Sequence, residues 1–424
     1  MKNIYFILAI TMVFGILFFG CKKDQGTEPL GPITISGFVK DYFGMPVSGA
    51  AVIIPGKSAV TTTAAGTFSI PNVTVPYDIS VVVSTGKVAM IYKGLSRPDP
   101  KLLYLYFSGT SKSAAITGSV PVAIGKTSKI YFVSGSYFSS TTADPTTGAY
   151  SFYGYWYDTS STSNAKLFFL RYSTDGTGIP TIFDGYASKS LSVQNGASYT
   201  SQNFPTSDIV DPPDVTVSGV VSMPTGFSLS SRRLYIIFDN AKISLRSDPT
   251  PITSTSFDYA VPNIAGVQFG IRASAYKTST PSDIGTSFTK LGINAGSTNV
   301  NVTLESSPRL ALPPNNSPNI DYNSEFTWSQ GTGDGVNLVQ INSSISNNPV
   351  YYIFTRESNL KIPDFSTHGL GLPPNTTYSW YVYRYLPIPS TDYAASNTFV
   401  KWLREMTSDF GYSYSESFTF TTKP

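Results

Sequence analysis

Ile35-Ser36-Gly37-Phe38-Val39-Lys40-Asp41-Tyr42-Phe43-Gly44-Met45-Pro46-Val47-Ser48-Gly49-Ala50-Ala51-Val52 decides the fold. Its apolar residues alternate with polar ones, and Asp41-Tyr42-Phe43-Gly44 interrupts the alternation as a turn. Period-two runs broken by Gly and Pro are strands, because successive strand side chains point to opposite faces. Gly66-Thr67-Phe68-Ser69-Ile70 begins another strand, and Tyr77, Ile79, Val81 and Val83 carry the pattern through a third. Strands this short with one apolar face predict a small antiparallel sandwich. The opening phrase recurs as Ile116-Thr117-Gly118-Ser119-Val120 and as Val217-Ser218-Gly219-Val220-Val221. Counting from the Gly of each phrase, an aromatic strand residue follows 31 positions on at Phe68, 32 on at Tyr150 and 38 on at Phe257. Three related sandwiches are expected, whether by descent or by shared strand grammar.

The rest of the chain agrees with an all-β reading. Of 424 residues 34 are Gly, 30 Pro, 28 Tyr and 27 Phe, and only 13% are charged, which excludes coiled coils and long helices. The net charge of +3 is spread without a basic stripe, so nucleic acid finds no electrostatic footprint.

The first stretch, I-x-G-x-V-x-D-x-x-G-x-P-V-x-G-A-x-V followed by T-x-x-x-G-x-F-x-I from Thr62, resembles the carboxypeptidase regulatory-like domain, a transthyretin-like sandwich. The resemblance covers 33–109 and implies a non-catalytic appendage. Related sandwiches are expected at 112–206 and 213–306, with Ser207 to Asp214 as a linker between them. The three acids of that linker are read as solvated rather than as a calcium site, since Ca²⁺ takes six or more oxygens. In the last module, 307–424, Leu372-Pro373-Pro374-Asn375-Thr376-Thr377-Tyr378-Ser379-Trp380-Tyr381-Val382 resembles the fibronectin type III signature. That resemblance implies a tyrosine corner at Tyr378, hydrogen-bonded back to the backbone. A long loop at 386–415 departs from it, and Phe399, Trp402, Leu403 and Met406 predict a short helix there.

The N-terminus reads as a leader over 1–20, with Lys2 ahead of an uncharged run from Ile4 to Phe19. Cys21 is the chain's one cysteine, so an internal disulfide is excluded. Leu17-Phe18-Phe19-Gly20-Cys21 resembles a bacterial lipobox, which implies a lipid-modified Cys21, a membrane partner through that lipid, and a polar tether over 21–32. The residue directly after Cys21 is Lys22 rather than Asp, so the expected address is the outer membrane of the cell envelope.

Chemistry is sparse. Catalysis draws on His, Cys or buried carboxylates, and here one Cys is committed to lipid and the single His368 stands in a loop with no G-x-S-x-G elbow anywhere. A zinc site of usual type needs more His and Cys than the chain has. Paired acids on a cleft are not identifiable among the 26 Asp and Glu, so neither an enzyme nor a cofactor is expected. Gly331-Thr332-Gly333-Asp334-Gly335 precedes a strand rather than a helix and reads as a hairpin turn.

The aromatics carry more. Alternation through Tyr150 to Tyr157 places Tyr153, Tyr155 and Tyr157 on the face opposite Tyr150, Phe152 and Trp156. Tyr381, Tyr383 and Tyr385 form a similar row opposite Tyr378, Trp380 and Val382. Each row either packs across strands and between domains or offers a platform on which sugar rings stack. Trp402 and Arg404 are the candidate partner-loop residues. The expectation is a non-catalytic, lipid-anchored rod of β-sandwiches with its C-terminal module distal, partnered by an envelope protein or a polysaccharide. The alternative is a glycan-binding lipoprotein of a polysaccharide uptake system.

Overall fold

The computed structural model describes residues 31–105, 111–157, 160–396 and 407–424, and these form tandem β-sandwiches with a single four-residue helix, Thr391–Ala394. Cys21, the leader and most of the tether lie outside the described residues.

The first three sandwiches share one plan. In each, the strand bearing the opening phrase is the centre of a three-stranded sheet: Ile33–Asp41 between Thr67–Val73 and Lys101–Tyr104, Lys112–Ser119 between Ala149–Trp156 and Ser198–Tyr199, and Asp214–Ser222 between Ser256–Pro262 and Val300–Thr303. The first neighbour is antiparallel and the second, which closes the sandwich, parallel in all three. The facing sheets have four antiparallel strands in matching order, as in Val60–Thr61, Ala51–Ile53, Tyr77–Val83 and Val88–Leu95 of the first. Gly37 stands directly opposite Phe68, Gly118 opposite Tyr150 and Gly219 opposite Phe257. A Cβ at these glycines would sit 2.7 Å from the Phe68 ring, 2.7 Å from the Tyr150 hydroxyl and 2.8 Å from the Phe257 ring, and would also meet the carbonyls of Pro100, Gln202 and Val300 respectively. The missing side chain therefore lets an aromatic ring lie across the central strand and fill the core.

Local chemistry explains the first motif. The Asp41 carboxylate accepts from the amides of Phe43 at 2.9 Å and Met45 at 2.8 Å, an Asx-type turn. Buried Thr62 accepts from the Ala50 amide and donates to the Val47 carbonyl, pinning the second strand to the third.

The fourth sandwich sets Arg309–Leu312, Phe326–Ser329 and Asn359–Leu360 against Phe410–Tyr414, Thr377–Leu386, Val336–Asn342 and Val350–Thr355. Two expectations are corrected in it. Tyr378 is fully buried and stacks on Phe420 at 5.6 Å, but its hydroxyl makes no hydrogen bond, so the ring is held by packing. The Gly331–Gly335 segment is not a hairpin turn, because the strands it joins belong to opposite sheets. It crosses between them and is anchored by buried Arg384, which donates to the Gly333 carbonyl at 2.7 Å and to Asn337 Oδ1 at 3.2 Å.

The modules do not form a rod with the fourth at its far end. Val350–Thr355 of the fourth pairs in parallel with Val88–Leu95 of the first, and Phe410–Tyr414 pairs with Ile284–Ile293 of the third. One 14-stranded sheet thus runs through third, fourth and first sandwiches. Lys290 Nζ and the Leu291 amide donate to the Asp409 carboxylate across the junction of third and fourth sandwiches, at 2.6 and 2.8 Å. The second sandwich packs the outer face of its larger sheet on the core of the third, where Phe168 stacks on Phe238 at 4.3 Å. The circuit closes where Phe43 of the first stacks on Tyr157 of the second. Apolar strand edges and sheet faces that a rod would leave in water are what draw the modules together.

Candidate functional site

The strand Ala149–Trp156 alternates as its sequence demands, with Tyr150 and Trp156 buried in their own sandwich. Tyr153 and Tyr155 point outward, 58% and 44% exposed, with ring centroids 6.4 Å apart and planes tilted by 38°. The Tyr155 amide donates to Ser139 Oγ at 3.1 Å, which ties this strand to the strand Tyr137–Thr142. Large apolar side chains exposed together mark interaction surfaces more often than single ones do.

The third member of the row behaves differently. Tyr157 lies just past the strand's end, where the pleat no longer dictates its direction, and it stacks on Phe43 with centroids 4.4 Å apart and planes at 11°. It also meets Tyr137 at 4.9 Å. Tyr157 therefore belongs to the junction between first and second sandwiches rather than to a flat row with Tyr153 and Tyr155.

That junction is a cleft of about 610 Å³, walled by Phe43, Met45, Tyr137, Trp156, Tyr157 and Lys40, with Ser134, Ser136 and Ser163 among its polar lining. Two turns face each other across it. One is the Asp41–Met45 turn that carries Phe43; the other is the tight hairpin Ser134–Tyr137, in which Gly135 takes φ +60°, the left-handed conformation glycine adopts without strain. Lys40 is the one charged residue in the lining. Its ammonium rests 4.7 Å from the centroid of the Phe38 ring, and it forms no ion pair among the described residues. Nothing in the sequence alone marks Tyr137 and Lys40 as cleft residues; for Phe43 the available signal is an aromatic pair, Tyr42-Phe43, placed in a turn where polar residues are usual.

The second tyrosine row is half-buried. Tyr383 lies 5.4 Å from Tyr381, 6.3 Å from Tyr385 and 5.9 Å from both Tyr412 and Tyr414. Tyr383 and Tyr385 pack against a core that joins first and fourth sandwiches, and burial pushes the hydroxyls of both above the ordinary tyrosine range. Trp402 and Arg404, and the helix expected around them, lie outside the described residues. His368 is half-buried in the short turn Ser366–His368, and its carbonyl accepts from Ser84 of the first sandwich at 3.0 Å. In the linker, Asp208 pairs with Ser207 and Asp214 accepts from the Phe183 amide, and among the described residues no group of three His, Cys, Asp or Glu gathers where a metal would sit.

No family model matches the chain, and no curated protein does. Among solved structures it is similar to the Bacillus anthracis TIE protein, at 8% identity and a TM-score of 0.16 over 64% of this chain and 50% of that one, so it spans half the length of that protein. It is also similar to a tetra-tandem repeat in the extending region of a large adhesion protein, at 10% identity and a TM-score of 0.15 over 83% of this chain and 95% of that one. Likenesses this loose carry no weight for function.

Proposed function

We propose that the protein is a non-catalytic lipoprotein of the bacterial cell envelope, tethered by a lipid on Cys21, whose sandwiches form a scaffold for binding. Within that scaffold the first and fourth modules are a carboxypeptidase regulatory-like and a fibronectin type III-like domain. The observation that carries the binding role is the aromatic corner of the second sandwich, where the rings of Tyr153 and Tyr155 stand exposed side by side. Exposed tyrosine rings offer an apolar face with a hydrogen-bonding edge, the combination that suits sugar rings, and this favours a polysaccharide over an envelope protein as partner.

Two measurements test the proposal. Cys21→Ser should move the protein from the membrane fraction to the soluble one, and retention in the membrane would contradict a lipid tether. The chain from Lys22 onward should be retarded by bacterial or plant polysaccharides in affinity electrophoresis, with retardation lost in the Tyr153→Ala/Tyr155→Ala variant. Unchanged retardation in that variant would remove the corner from the proposal.

A further inference from the structure

We infer that the cleft between the first and second sandwiches is a binding site for an acidic oligosaccharide, a chain of sugar rings bearing carboxylates. The inference rests on the glycan reading of the neighbouring corner and adds both a second site and a chemical class. About 610 Å³ falls within the roughly 300–1,000 Å³ of small-ligand pockets, and the walls combine aromatic rings with a few polar groups, as such pockets do. Tyr157 and Tyr137, 4.9 Å apart, present rings to the cleft, while Ser134, Ser136 and Ser163 bring hydroxyls suited to those of a sugar.

Among the lining residues the only charge is that of Lys40, and no Asp or Glu lines the cleft. A lysine resting on a ring without an ion pair among the described residues retains its demand for an anion. Lys101 Nζ rests on the same Phe38 ring at 4.6 Å but is not part of the lining. A neutral sugar leaves the Lys40 ammonium unanswered, a phosphate-rich ligand calls for several cations in the lining, and a single carboxylate on a sugar ring matches both the aromatic wall and the one cation that lines it.

The test is titration calorimetry of the chain from Lys22 onward with tri-galacturonic acid and with its carboxyl-reduced, neutral counterpart. Saturable binding of the acid is expected, with the neutral trisaccharide about tenfold weaker or more. Lys40→Gln, a substitution on the surface of a strand, should abolish the difference between the two sugars. Tyr157→Ala should weaken both, and Tyr153→Ala/Tyr155→Ala should weaken neither, each variant being checked for an unchanged melting midpoint. Equal binding of the two trisaccharides, an unaltered preference in Lys40→Gln, or no saturable binding would each overturn the inference. If polysaccharide retardation still depends on Tyr153 and Tyr155 in that event, the proposed function survives and only the cleft fails; if retardation is absent as well, both fail.

Discussion

A methyl group on Gly219 would collide with the Val300 carbonyl on one side and the Phe257 ring on the other, and backbone on the first of those sides has little room to yield. Gly219→Ala should therefore destabilise the third sandwich by about 1–3 kcal/mol, the usual scale for overpacking a closed site. A urea midpoint equal to the parent's would show that the strands have more freedom than their spacing implies. Asp321 makes a prediction about acid. Its carboxylate accepts from Lys423 Nζ at 2.6 Å, the Asn323 amide at 2.9 Å and Ser324 Oγ at 3.1 Å, and these bonds lower its pKa from 3.8 to about 2. Because the folded carboxyl holds its proton less tightly than the unfolded one, its contribution is complete above about pH 4 and is lost as pH falls through about 2. Asp321→Asn should lower the urea midpoint at pH 7 and leave it equal to the parent's near pH 2. A gap of constant size across that range would assign the effect to something other than ionisation.

Among elements, the pairing of Val88–Leu95 with Val350–Thr355 has the largest consequence. Ile91 stands opposite Ile353, and Tyr92, next to it, stacks on Phe354 at 4.8 Å, all four residues being buried. Amides of both strands should exchange with deuterium as slowly as those of strands inside a single sandwich. Fast exchange at this seam beside slow exchange elsewhere would mean that first and fourth sandwiches are only loosely apposed. The strands themselves were legible in the sequence because alternation reports the faces of a sheet, and the Gly-to-aromatic spacing foreshadowed the cross-strand pairs at Phe68, Tyr150 and Phe257. The seam was not legible, since alternation says which face is apolar and nothing about which edge meets which. The Gly331–Gly335 crossing was hidden for a related reason. Glycines permit a tight turn and a crossing alike, and it is Arg384, some 50 residues away in sequence, that decides between them. At the candidate site, Tyr153 and Tyr155 followed from the pleat, whereas Tyr157 sits beyond it and takes its direction from Phe43 in another module.

At the scale of the whole molecule, each sandwich touches the next and the fourth returns to the first, so the cleft at Phe43 and Tyr157 depends on a circuit of contacts rather than on one domain. Contacts between distant parts of the chain bring the aromatic turn of the first sandwich against the aromatic strand of the second, and a linear array would leave them free to part. The closed arrangement is thus the premise of the cleft between first and second sandwiches. Small-angle X-ray scattering of the chain from Lys22 onward measures it directly. A compact chain of this length has a radius of gyration of about 21 Å, and four modules of about 13 Å each set end to end give roughly 40 Å. The closed circuit predicts a value below about 28 Å with no extended tail in the distance distribution, and a value near about 40 Å would contradict it.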